Sequence, residues 1–94
     1  MRATLFPPRI VGTAANVAST TTSSASAAFG STTNIIMISS SAAVQFRVGD
    51  GTPTAVTTDT LLPANTVVYL SVNPSQKLAV IGTATVSVTE MNAG

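Results

Sequence analysis

The chain has 94 residues, with four Lys or Arg, three Asp or Glu, no His and no Cys, for a formal net charge of +1. That length holds one small domain, burying only about 60–65% of its unfolded surface, and the missing Cys and His exclude disulfides and a protein-only zinc or transition-metal site. The four basic residues, Arg2, Arg9, Arg47 and Lys77, are scattered rather than clustered, which argues against nucleic-acid binding, and no apolar run approaches the roughly 18–20 residues that span a bilayer.

Residues 1–13 begin "MRATLFPPRIVG" and read as an extended arm. Pro7 and Pro8 set a polyproline-like path and remove two backbone donors, so no interior strand runs through them. The segment is either a frayed terminus or an arm that lies on a neighbouring subunit, with Leu5, Phe6 and Ile10 as its candidate anchors and Arg9 beside them. The arm lacks a continuous apolar stretch before its proline pair, so no signal peptide is expected. Residues 14–34, "AANVASTTTSSASAAFGSTTN", are poor in helix formers, and the alternation of Val17 and Ser19 with Ala18 and Thr20 predicts short strands or an extended edge.

The remainder alternates more clearly. "TNIIMIS" (33–39) predicts a strand covered on both faces. "AVQFRV" (43–48) puts Val44, Phe46 and Val48 on one face and Gln45 and Arg47 on the other. "TVVYLSV" (66–72) sets Val68, Leu70 and Val72 against Val67 and Tyr69. "KLAVIG" (77–82) and "ATVSVTE" (84–90) predict a terminal hairpin turning at Gly82-Thr83, with Ala84, Val86 and Val88 inward and Thr85, Ser87 and Thr89 outward. Turn signals at "SSS", "GDGTP", "LLPAN" and "NPSQ" separate these runs. The expected fold is all-β: an antiparallel β-sandwich or jelly-roll-like single domain over 14–94, preceded by the arm.

Little in the chain supports catalysis. A Ser or Thr nucleophile lacks a His base, and Asp50, Asp59 and Glu90 would form a hydrolytic carboxylate pair only by coincidence. No enzyme activity and no cofactor are expected. "GDGTP" is too short for a phosphate loop and lacks the ligand series of a calcium loop. It reads as a tight turn in which Gly49 or Gly51 takes positive φ and Asp50 bonds nearby backbone N–H groups. Arg47 has Asp50, Asp59 or a partner carboxylate as candidate mates. Leu61 and Leu62 are either core or an apolar loop tip, and Tyr69 is expected half-buried with an interface role as the lesser reading.

Only 7% of residues are charged, against about a quarter in a typical soluble domain, and Ser and Thr supply the polar surface instead. Charge keeps dispersed proteins apart. A small, weakly charged β-domain therefore suits a life packed against neighbours.

Read together, "SAAVQFRVGDG", "TDTLLPANTVVYLSV" and "KLAVIGTATVSVTE" resemble small β-sandwich capsid decoration, or cement, proteins of tailed bacteriophages. The resemblance covers residues 33–90 and rests on an aromatic-Arg-x-Gly-Asp turn, a Pro-Ala-led strand and a Thr-Ala-Thr closing segment. It implies a virion structural protein, made in the host cytoplasm and bound to the capsid surface as a homo-oligomer, often a trimer, that pins neighbouring major capsid subunits. Phe46, Arg47, Gly49, Asp50, Pro63 and Thr83 carry the pattern as structural residues, and the family brings no catalytic site. The expected contact residues are Leu5, Phe6, Pro7, Pro8, Arg9, Ile10, Arg47, Asp50, Leu61, Leu62 and Tyr69; nucleic acid and membrane are not expected partners. Two other readings use the same composition: a receptor- or glycan-binding module of a head or tail fibre, and a head–tail junction adaptor.

Overall fold

The structure, a computed structural model, describes residues 9–11 and 14–92. Nine strands follow one another: β1 (Arg9–Ile10), β2 (Ala15–Ser19), β3 (Ser24–Ala25), β4 (Ile35–Ser40), β5 (Val44–Gly49), β6 (Thr60–Leu62), β7 (Val68–Ser71), β8 (Lys77–Ile81) and β9 (Ala84–Asn92). They form two sheets. The first has the order β1-β9-β4-β7, with β2 also on β9, and the second the order β3-β8-β5-β6.

All pairings are antiparallel, and four of them join mates counted inward from both ends of the series β2 to β9. These are β2 with β9, β3 with β8, β4 with β7 and β5 with β6. That is the pattern of one long two-stranded ribbon. Wrapping the ribbon on itself lays β9 beside β4 and β8 beside β5. The resulting strand orders are those of a jelly roll, and the antiparallel sandwich expected from the turn spacing is the fold observed.

Period-two patterning places the core between the sheets. Ile36, Ile38, Val86 and Val88 come from the first sheet, and Val44, Phe46, Leu62, Leu78 and Val80 from the second. Phe29 closes one end of the sandwich. Its N–H donates to the Gln76 carbonyl at 2.9 Å and its carbonyl accepts the Ser75 N–H at 3.0 Å, tying the β3–β4 link to the β7–β8 turn. At the same end Glu90 Oε1 accepts the Gly30 N–H at 2.8 Å and the buried Thr33 hydroxyl at 2.6 Å. Serine hydroxyls take over backbone roles where the ladders run out: Ser26 Oγ accepts the Leu78 N–H at 3.0 Å, and Ser41 Oγ accepts the Thr85 N–H at 3.0 Å. Part of the Ser-rich composition is thus used to satisfy backbone donors.

Several expectations are corrected. The terminal hairpin over 77–90 does not form, because β8 and β9 lie in different sheets. Each already has a strand on both sides, so the link between them is a corner. Gly82 turns it with φ +119°, and its N–H donates to the Thr20 carbonyl at 2.8 Å. A Cβ there would lie 3.2 Å from Val44 Cγ1 and 3.3 Å from Val44 Cα. Thr89 faces outward as expected, paired with Met37, yet it is buried on that face. For β4 one face is fully buried while Ile35, Met37 and Ser39 on the other are only partly covered.

The edge of the first sheet beside β9 has a register step. Ile10 pairs with Met91 and Ala15 with Val88. The edge therefore advances five residues while β9 advances three, an odd step on both strands that keeps facing residues on the same side. Of the expected arm, Arg9 and Ile10 pair with this chain's own β9. Leu5, Phe6, Pro7 and Pro8 lie outside the described residues.

Candidate interaction surface

The charged side chains of the "GDGTP" region hold turns. Arg47 lies on the outer face of β5 and makes a bidentate pair with Asp59, Nε to Oδ2 at 2.9 Å and Nη2 to Oδ1 at 2.8 Å. Asp59 Oδ2 also accepts the Val56 N–H at 2.9 Å, and the Asp59 N–H donates to the Val56 carbonyl at 3.0 Å. The pair staples the long β5–β6 link onto the sheet. The Arg47 hydrogen bonds, then the Val56 N–H, hold the Asp59 carboxyl below its ordinary value of 3.8, against a smaller opposing effect of desolvation. The same hydrogen bonds and charge raise Arg47.

Arg47 therefore takes Asp59 as its mate, and Asp50 stands apart. Asp50 Oδ1 accepts the Gln76 side-chain amide at 3.3 Å, in place of the expected backbone N–H groups. Gly51 takes the positive φ, at +65°. All three carboxylates, Asp50, Asp59 and Glu90, thus accept hydrogen bonds that fasten links between strands. Among the described residues no three acidic side chains gather as a metal site, and no helix is long and apolar enough to cross a membrane.

The two outer faces differ in chemistry. On the second sheet Arg47 and Lys77 point outward beside Gln45, Leu61 and Ile81. Among the described residues, the outward positions of the first sheet carry no charge. Register sets Met37 between Tyr69 and Thr89, and Ile35 between Ser71 and Met91, with Ile10 on the far side of Met91. These rows run from β1 to β7, with Tyr69 and Ile10 exposed at the two ends, Ile35 and Met37 partly covered, and Met91 and Thr89 buried between them. Alternation hid them from sequence reading: Ile35 and Met37 sit in the run "IIMI", where inward and outward positions are equally apolar. A β-strand reading of that run alone cannot choose the solvent face.

The expected contact residues separate. Tyr69 is 59% exposed rather than half-buried, and its neighbour Val67 is 53% exposed. Leu61 is 54% exposed on the second sheet, whereas Leu62 is fully buried and part of the core, so it leaves the set of surface residues. Adjacent residues on a strand face opposite ways, and β5 pairing puts Leu62 opposite Val44 inside the sandwich. Ile10 is 64% exposed at the β1 end of the outer rows of the first sheet.

The backbone of β7 adds a second feature to the same surface. The Val72 N–H donates to the Asn34 carbonyl at 3.0 Å, in register with Ile36 opposite Leu70 and Ile38 opposite Val68. Antiparallel alternation then points the N–H and C=O of Val68, Leu70 and Val72 at β4, and those of Tyr69 and Ser71 away from it. No other described strand pairs with that edge.

Compared with protein-family models, with curated proteins and with solved structures, the chain matches none of them.

Proposed function

We propose that the protein is a non-enzymatic structural component of a tailed-phage virion that decorates the capsid and cements it by docking across neighbouring major capsid subunits as an oligomer. The observation that carries this reading is the outer face of the first sheet, uncharged among the described residues, set against a second sheet whose outer face bears Arg47 and Lys77. The exposed Tyr69 and Ile10, with the partly exposed Ile35 and Met37 between them, suit contact rather than solvent. The phage setting rests on the resemblance of residues 33–90 to decoration proteins. Binding only the assembled shell would stabilise it by linkage, with no chemistry required.

The test is co-sedimentation of the purified chain with expanded, DNA-free heads. Met37→Glu, placing a charge in the middle of that face, is expected to abolish binding, while Leu61→Glu on the opposite sheet leaves it intact. Retained binding of Met37→Glu would remove the first sheet from the docking surface. Tens to hundreds of copies per virion fit a cement protein. About a dozen or fewer would point to a head–tail adaptor, and binding of the isolated domain to host cells or glycans to a receptor-binding module.

A further inference from the structure

We infer that the outward edge of β7 is a self-pairing edge: two copies of the chain join β7 to β7 antiparallel about a two-fold axis perpendicular to the first sheet. An unpaired strand edge presents backbone donors and acceptors that only another extended strand can satisfy in series. Edges that must stay single are blunted by charge, proline, bulges or brevity. Three edges of this fold are blunted so. β3 has two residues, β6 has three and runs into Pro63, and the edge along β1 and β2 carries the two-residue register step. β7 has none of these devices. It keeps one register with β4 from Val68 through Ser71, and no residue from 66 to 72 is charged.

The occupant follows from the symmetry of the edge. With Tyr69 opposite Tyr69 of the second copy, the two residues exchange both backbone hydrogen bonds, and Ser71 faces Val67 of the second copy. The neutral segment brings no like charges together at this register, and pairing covers two of the most exposed large apolar residues, Val67 and Tyr69. The β2 edge offers only Asn16 and Ala18 at its outward positions, so pairing there covers little. The perpendicular axis leaves the outer faces of both first sheets on the same side of one continuous ten-stranded sheet. The dimer does not depend on the decoration reading: it is tested without capsids, so either idea can fail alone.

The chain has no Cys, so a single introduced thiol reports one contact. Residues facing each other as a hydrogen-bonded antiparallel pair have Cα atoms about 5.5 Å apart, within disulfide range. Oxidised Tyr69→Cys is expected to be a covalent dimer, with Ala18→Cys and Leu61→Cys remaining monomeric under the same oxidation. In native mass spectrometry the unmodified chain should double its 9.4 kDa mass, and Ser71→Pro, which removes only an outward N–H, should be monomeric with an unchanged far-UV spectrum. A monomeric or trimeric unmodified chain, cross-linking through Ala18→Cys instead, or a Ser71→Pro variant that is folded and still dimeric would each overturn the inference.

Discussion

Asp59 accepts two hydrogen bonds from Arg47 and one from the Val56 N–H, and its carboxyl is lowered from 3.8 by them. A folded-state value below the unfolded one means that the contribution to stability is complete above the unfolded value and is lost as pH falls through the folded one. The melting temperature of the native chain should therefore exceed that of Asp59→Asn at pH 6, and the gap should close as the pH is taken below the carboxylate range. A gap that persists unchanged at pH 2 would mean that the pair does not set it. Ser19 makes the opposite case. Its Oγ is buried with no hydrogen-bond partner among the described residues, and an unsatisfied buried hydroxyl is costly. Ser19→Ala is expected to raise stability by on the order of 1 kcal/mol, measured by urea unfolding. Neither role is readable in sequence. The partner of Arg47 depends on where the β5–β6 link returns, and Ser19 looks like any other hydroxyl in a Ser/Thr-rich stretch.

At the level of strands, the alternation of β5 was legible because a single apolar face stood out, Val44 with Phe46 against Gln45 and Arg47. β9 was legible in its inward residues Val86 and Val88 but not in its partner. Gly82-Thr83 between two strand-like runs reads locally as a hairpin, and nothing nearby reveals that both sides of β8 and of β9 are claimed by strands far away in sequence. The corner itself is testable. Gly82 has φ +119° and Val44 within 3.3 Å of a virtual Cβ. Gly82→Ala should therefore cost about 1–3 kcal/mol through backbone strain alone, with further loss if Val44 cannot move. A near-neutral result in chemical denaturation would contradict the strained, close-packed position of Gly82 against Val44.

For the whole molecule, weak charge and a chemically divided pair of sheet faces were separable pieces of information. Composition announced the first, and only the register of β4 between β7 and β9 disclosed the second. The nested pairing also governs how the fold can be reached. Ala15 pairs with Val88 and Ser24 with Val80, so productive contacts close long loops before they are rewarded. Refolding from urea is expected in the millisecond-to-second range of non-local β topologies, and a microsecond main phase would contradict that expectation. On the ribosome the order is stricter still. β9 is the centre of the first sheet, bonded to β2 and β4, yet it is made after every other strand of that sheet. Until residues 84–92 emerge, β2 and the β4–β7 pair have nothing between them, and the nascent chain must keep its apolar strands apart without the strand that will join them.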